Sequence, residues 1–236
     1  MTETEANLQE TLELFESMGK PVPFRGRLSP KQIADGMNAV ARNATRLVND
    51  AEVLLEAKRY PSAAALAVLA IEEGGKLPIL RGLSTAKDDE AVKTGWKDYR
   101  SHQSKNVMWL LPMFALAGVK TFAEFGRLFD PNSKHRQRLD ELKQHGFYSD
   151  CFEGGAWSEP EHFIDEVIAR FVVRTAKSLT KKYPFSEREI ELWVDHVGGD
   201  QSVGGVKKFW EAMTREGLAY GDVDVDEMLA LKPETE

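Results

Sequence analysis

The sequence YPSAAALAVLAIEEGGKLPIL, residues 60–80, is the most apolar helical stretch of the chain. Pro61 suits the first turn of a helix, where its missing amide costs no hydrogen bond, and the small apolar residues that follow favour helix. A helix that is apolar on all sides belongs in the centre of a bundle. Charged residues interrupt this one near its end, and a buried charge is costly unless it is paired. The stretch therefore predicts a central helix whose charges need partners.

Two interpretations of these charges are open. Glu72 and Lys76 are four residues apart with the acid first, which is typical of an ion pair near a solvated helix end. In the other interpretation, Glu73 and Lys76 point into a polar hole and meet charged partners from another helix. Gly74 and Gly75 would let that helix approach closely, because glycine has no side chain.

Composition bounds the class of protein. The chain has 236 residues, of which 42% are hydrophobic and 29% charged, as in a globular protein with a substantial core. Its first residues, MTETEANLQE, lack the features of a secretory signal, and no apolar run reaches the about 18 residues of a membrane span. A single cysteine, Cys151, fits a reducing compartment. We therefore expect a cytoplasmic protein without a membrane segment.

The net charge of −7 argues against a protein that coats nucleic acid nonspecifically, but it leaves room for a locally basic cleft. No Cys/His spacing indicates zinc, and the five histidines form no metal-binding pattern. The glycines of residues 198–205 follow no predicted strand, so they do not indicate a nucleotide-binding loop. The sequence thus predicts neither a metal nor a cofactor.

Periodicity and capping signals predict an all-α protein. Residues 1–28 form an N-terminal helix and loop, residues 29–183 a helical bundle, and residues 184–236 an appended segment of short helices. A capping box at Ser29 begins a helix that runs to about Arg59 and pairs with the next helix as an antiparallel hairpin. Further helices are predicted from Glu90 through Lys105, at 122–128 after a break at Pro112, from Ser133 to His145, from Glu159 to Lys182, and at 186–197, 203–216 and 224–231.

A second group of polar residues lies on the helix predicted from Glu90. Tyr99, His102 and Lys105 follow one another at three-residue spacing and share a face, which Arg100 does not. A solvated basic face with a surface histidine would also explain these residues. Both this group and the one at Glu72 border an apolar helix, which favours a joint site.

Three segments in this order carry a resemblance. They are Tyr60, Ala64 and Ala67 followed by Glu72-Glu73-Gly74-Gly75-Lys76; Tyr99-Arg100-Ser101-His102-Gln103-Ser104-Lys105; and Gly146-Phe147-Tyr148-Ser149-Asp150 followed by Trp157 and Pro160. Together they resemble the AbiV family of abortive-infection proteins in the HEPN superfamily. The resemblance covers roughly residues 37–182.

The resemblance implies an HEPN-like helical bundle and a bacterial phage-defence or toxin-type protein. Many HEPN proteins dimerise and cut RNA without a metal, using an Arg-x(4–6)-His motif brought together across the dimer. Histidine can take the 2′-hydroxyl proton and arginine can stabilise charge on the phosphate, which yields a 2′,3′-cyclic phosphate. RNA, a second copy of the chain, and a phage-encoded activator or an antitoxin are the partners that it implies.

Two sets of candidate residues are open. Arg100 and His102 have one residue between them, so the usual spacing is absent there, whereas Arg138 and His145, with six between, match it. The preferred set is Glu73, Lys76, Arg100, His102 and Lys105, and the secondary candidates are Arg138, His145, Tyr148 and Glu72. The alternative function is a non-catalytic protein that binds a phage or host translation component, with the charged residues as a buried ion network.

Overall fold

The computed structural model describes residues 3–17, 19, 21–110, 130, 133–180 and 184–219. Its regular structure is helical apart from one small hairpin, which confirms the all-α fold. Predicted elements at Pro112, at 122–128 and at 224–231 lie outside these residues. The helices are α1 (Glu3–Ser17), α2 (Pro30–Glu56), α3 (Tyr60–Gly74), α4 (Lys76–Ser84), α5 (Asp89–Arg100), α6 (His102–Lys105), α7 (His135–Phe147), α8 (Glu166–Leu179), α9 (Glu187–Val197) and α10 (Val203–Arg215).

Helix α3 is the central helix that the sequence predicts. It packs against α2, α7 and α8. Its alanines allow close approach on several sides at once, and Ala63, Ala67 and Val68 have no exposed surface. The preceding helix, α2, begins at the predicted capping box, in which Ser29 Oγ accepts from the amide of Gln32 at 3.2 Å. The Gln32 side chain in turn accepts from the Ser29 amide at 2.9 Å.

Gly75 separates α3 from α4 and permits the closest helix contact near the candidate site. A Cβ atom on Gly75 would lie 1.9 Å from the carbonyl oxygen of Lys105, so no larger residue fits without moving α6. The neighbouring Gly74 has only an ordinary contact, 3.7 Å from the Leu179 carbonyl oxygen. The close approach expected of the two glycines is therefore confirmed at Gly75.

Two of the predicted helices differ from the observed ones. The helix from Glu90 is not continuous through Lys105, because Ser101 is extended and its Oγ accepts from the Ser104 amide at 3.3 Å, which starts the separate helix α6. The helix predicted from Glu159 begins at Glu166, because Asp165 caps it. A turn of 3₁₀ helix, Pro160–His162, precedes that cap.

The loop between α7 and α8 contains the only strands in the described residues. Strands β1 (Cys151–Phe152) and β2 (Ala156–Trp157) pair antiparallel, with Cys151 opposite Trp157. Gly154 and Gly155 make the turn at φ values of 83° and 77°, a region that favours glycine. Strands of two residues are too short to show the alternation by which sequence predicts a strand.

Helix α9 is attached to the bundle by polar contacts as well as apolar ones. Arg81 of α4 forms an ion pair with the buried Glu189, and its guanidinium lies 4.9 Å from the centre of the Trp193 ring. The Asn38 side chain donates to the Phe185 carbonyl at 2.8 Å and accepts from the Phe185 amide at 2.7 Å. Helices α9 and α10 begin and end close to the predicted positions.

Candidate functional site

The centre of the candidate site is the carboxylate of Glu72, in the last turn of α3. Its side chain is only 4% exposed. Its Oε2 lies 2.7 Å from Nδ1 of His102, and its Oε1 accepts a hydrogen bond of 2.7 Å from Nζ of Lys143. Nζ of Lys105 lies 3.9 Å from Oε2. Three basic side chains from α6 and α7 thus surround one buried carboxylate, which would be costly to bury without such partners.

Close contacts between helices at two glycines bring these basic side chains to Glu72. Gly75 lets α6 approach the end of α3, which places His102 and Lys105 above the carboxylate. On the other side, Gly146 lets α7 approach the start of α3, since a Cβ on it would lie 2.8 Å from the Pro61 carbonyl oxygen. Lys143 lies on the same face of α7, one turn earlier, and therefore points at α3.

The two lysines differ in how firmly they hold their protons. Burial lowers the pKa of Lys105, and the attraction of Glu72 only partly opposes that shift. Burial also lowers the pKa of Lys143, but hydrogen bonds to Asp140 and Glu72 outweigh it and raise that pKa above its ordinary value. Lys143 is therefore the firm counter-ion of Glu72, whereas Lys105 gives up its proton more readily than an ordinary lysine.

The contact with Glu72 fixes the orientation of His102. A carboxylate only accepts hydrogen bonds, so Nδ1 of His102 carries a hydrogen in this contact and Nε2 is left on the outer edge of the ring. The His102 side chain is 57% exposed. A histidine held from behind by a buried carboxylate, with its other nitrogen toward solvent, is suited to take a proton from a bound molecule.

Acidic and imidazole groups in the cluster also raise the question of a metal. One ligand atom each from Glu72, His102 and Asp140 lies within 4.8 Å of the others. However, Nζ of Lys143 lies 2.7 Å from Glu72 and 2.8 Å from Asp140, so its ammonium occupies the place between the two carboxylates. The donor set therefore fits an internal cation better than a bound one.

The cluster lies in a part of the chain that matches a known protein family. The family model of the AbiV proteins, HEPN_AbiV, matches residues 32–181 of the 236-residue chain. The chain belongs to the AbiV family. The matched range contains Glu72, His102, Lys105, Lys143 and the hairpin loop, and membership indicates an abortive-infection effector of the HEPN type. No curated protein and no solved structure matches the chain. None of the helices described for this AbiV protein combines the length and the apolar character that crossing a membrane requires.

Glu72, His102, Lys105 and Lys143 are here called the Glu72 cluster of this AbiV protein. Glu73 and Lys76 lie beside this cluster rather than in it. They form an ion pair with each other, with side chains 18% and 17% exposed, and Nζ of Lys76 lies 5.1 Å from the centre of the Tyr99 ring. The acid that meets charged partners from other helices is instead Glu72. The surface ion pair between Glu72 and Lys76, one of the two interpretations of the sequence, does not form.

Arg100 points away from Glu72. Its Nη1 donates to the Trp96 carbonyl at 2.9 Å and its Nη2 to the Phe24 carbonyl at 2.7 Å. The guanidinium also lies 5.2 Å from the centre of the Trp96 ring. These contacts tie the loop before α2 to α5, so in this AbiV protein the contacts of Arg100 are with Phe24 and Trp96 rather than with Glu72 or His102.

The secondary candidates other than Glu72 lie on α7 and on the loop after it. Arg138 is exposed and pairs with Glu141 at 2.9 Å. The His145 ring stacks on Phe163, with ring centres 4.4 Å apart. Tyr148 is 64% exposed. Of these candidates only Glu72 belongs to the cluster of α3, α6 and α7.

Sequence analysis missed Lys143 and Asp140. Lys143 stands on the apolar face of α7, where Leu139 and Gly146 are buried one turn before and almost one turn after it. A single lysine within an apolar stripe is a signal for a buried ion pair, because an unpaired charge there would be costly. Asp140 carries no such signal, since acids are common on exposed helix faces.

Proposed function

We propose that this AbiV-family protein is a phage-defence effector that cleaves RNA without a metal ion, with His102 as the general base. The observation that supports the proposal is the contact of 2.7 Å between His102 Nδ1 and the buried Glu72, on a histidine whose other edge is exposed. This arrangement presents Nε2 to a substrate and stabilises the imidazolium that forms when it accepts a proton.

In the proposed reaction, Nε2 of His102 takes the proton of a 2′-hydroxyl group. The 2′-oxygen attacks the adjacent phosphorus, the bond from phosphorus to the 5′-oxygen breaks, and the leaving oxygen takes a proton from water. The products are a 2′,3′-cyclic phosphate and a 5′-hydroxyl end. Glu72 orients the imidazole, while Lys105 and Lys143 hold Glu72 in place.

A homodimer belongs to this proposal. Arg100 donates to two backbone carbonyls instead of turning toward His102, so the cation that neutralises the phosphate has to come from elsewhere. A second copy of the chain can supply it if the exposed edges of two His102 side chains face a common cleft. Light scattering at micromolar concentration tests this step, and a strict monomer that still cleaves RNA would contradict it.

A non-catalytic function is the second candidate. The side chains of Lys105 and Lys143 are each 8% exposed and that of Glu72 is 4% exposed, so a substrate would reach only His102. A buried network of this kind can serve to fix three helices in one arrangement. In that case the protein would act by binding a phage or host translation component.

The deciding experiment is cleavage of labelled tRNA and total RNA in EDTA by the wild type, His102→Asn and His145→Ala. We expect His102→Asn to lower cleavage about 10²–10⁴-fold, the usual contribution of a general base. His145→Ala should retain cleavage, because its ring stacks on Phe163 outside the Glu72 cluster. Circular-dichroism melts of all three proteins separate loss of chemistry from loss of fold. Equal cleavage by all three, or none by the wild type, would overturn the proposal in favour of the binding function.

A further inference from the structure

An open cavity of about 680 Å³ lies beside α5, next to the candidate site. The loop before α2 forms one wall, held there by a hydrogen bond of 2.8 Å from the Trp96 indole to the Gly26 carbonyl. Ser101, the last residue before His102, lines the near end. The side chains that line the cavity, here called the α5 groove, are Arg25, Lys93, Trp96, Lys97, Arg100 and Ser101.

The α5 groove is basic in a protein whose net charge is −7. Four cationic side chains line it and no acidic one does. Arg25 and Lys97 have no ion-pair partner among the residues that the structure describes. Lys93 has only an exposed contact with Glu90 at 3.3 Å, which is a weak pairing in water.

Arg100 has no acidic partner among the residues that the structure describes. Both of its hydrogen-bond acceptors are neutral backbone carbonyls, those of Trp96 and Phe24. A guanidinium has five N–H donors, so three are still available, and the contact with the Trp96 ring fixes the plane in which they lie. A fixed arginine beside lysines and an aromatic ring is an arrangement that binds phosphate groups.

We propose that the α5 groove binds the phosphodiester backbone of a single RNA strand and leads it to His102. This inference rests on the proposed ribonuclease function and deepens it. The groove ends at Ser101, which is bonded to His102, and consecutive Cα atoms are about 3.8 Å apart. A backbone that leaves the groove at Ser101 is therefore within reach of His102, whose side chain is exposed. Arg100 thus serves as a binding residue rather than a catalytic one.

The test measures binding separately from cleavage. A fluorescein-labelled 12-nucleotide RNA with 2′-O-methyl groups at every position cannot be cut by attack of a 2′-hydroxyl. Its binding is followed by fluorescence anisotropy at several salt concentrations. The groove variant is Arg25→Gln with Lys97→Gln, since both residues are exposed and outside the Glu72 cluster. The matched control is Arg42→Gln with Arg174→Gln, two exposed cations that do not line the groove.

We expect the groove variant to bind the oligonucleotide at least about tenfold more weakly than the wild type. The slope of log K against log salt should fall by about 1.4, because each single-strand phosphate contact contributes about 0.7. The control should stay close to the wild type. Equal affinities for the groove variant and the wild type, or equal losses in the groove variant and the control, would overturn the inference.

A length series distinguishes a bound strand from a bound mononucleotide. Oligonucleotides of 3, 6 and 12 residues should bind with increasing affinity if the backbone follows the groove. If the three oligonucleotides bind with equal affinity, and ATP displaces the longest one at a concentration near ATP's own dissociation constant, the groove is a nucleotide site. That result would overturn the inference. A different outcome is that the wild type binds RNA through the groove, with binding lost in the groove variant, and yet cleaves no RNA. That result would support binding in the groove and overturn the proposed ribonuclease function.

Discussion

Nζ of Lys143 lies 2.7 Å from Oε1 of Glu72, and their side chains are 8% and 4% exposed. The two residues are on different helices, α7 and α3, so this ion pair joins the helix that carries the loop motif to the central helix of the bundle. Because neither group has access to much water, each charge would be costly to bury without the other. The pair should therefore matter to stability more than any exposed ion pair of this protein.

Replacing Lys143 tests this dependence. Lys143→Met should lower the free energy of unfolding by about 3 kcal/mol, because it leaves a buried carboxylate with only His102 and Lys105 as partners. For a chain of this size that is a fall in melting temperature of about 6–12 °C. Arg138→Met, on the exposed face of the same helix, should change stability by no more than about 0.5 kcal/mol. Indistinguishable urea midpoints for the two variants would show that the buried ion pair contributes no more to the free energy of unfolding than the exposed one does.

The close approach at Gly75 gives a second prediction. Gly75→Ala should destabilise the protein by about 1–3 kcal/mol, because its Cβ would lie 1.9 Å from the Lys105 carbonyl oxygen and α6 would have to move. Gly82→Ala is the control, since nothing lies within 4 Å of a Cβ there. That control should stabilise α4 by about 0.5–1 kcal/mol, since alanine favours helix. Thermal melts that rank the two variants in the opposite order would contradict the observed packing.

The pKa of Lys105 predicts a dependence of stability on pH. Burial lowers this pKa, so the unfolded chain binds more protons at this residue between the lowered pKa and the ordinary value of 10.5. Within that window the contribution of Lys105 to the free energy of unfolding increases as the pH rises. The difference in stability between the wild type and Lys105→Met should therefore grow in favour of the wild type from pH 7.5 toward pH 10. Leu139→Ala removes no titrating group, and its difference from the wild type should stay constant in urea titrations over the same range.

Glu72 should also affect the proposed chemistry through His102. Glu72→Gln keeps the shape of the side chain but removes the charge that stabilises an imidazolium, so we expect RNA cleavage to fall at least about 10²-fold. Glu211→Gln, an exposed acid of α10, should leave cleavage unchanged. Single-turnover rates at a temperature where circular dichroism shows both variants folded provide the measurement. Full activity in Glu72→Gln would assign Glu72 to the scaffold alone.

Several features could be predicted from the sequence because their signals are local. The capping box at Ser29 depends on residues three apart in the chain, and the all-round apolar character of residues 60–71 is enough to make α3 central. The break at Ser101 was not predicted, since a serine can continue a helix or cap the next one. The first turn of α8 was placed too early for a similar reason, because Glu159 and Asp165 both suit the start of a helix.

The candidate site shows where sequence reasoning stops. Glu72 and Glu73 are neighbours in the chain, and the helix turns by about 100° between them. On a helix with one apolar face, periodicity would say which of the two points inward, but α3 is apolar all round and gives no such direction. Lys143 lies 71 residues after Glu72, and no local pattern links them.

The sequence by itself determined the family, the helical class and the presence of charges at the end of an apolar helix that needed partners. Only the tertiary structure decided that Glu72 is the buried acid, that Lys143 is its counter-ion, and that Arg100 turns toward the loop before α2. The physical reason is that burial depends on which helices pack against which, and Gly75 and Gly146 set those contacts by allowing two other segments to touch α3.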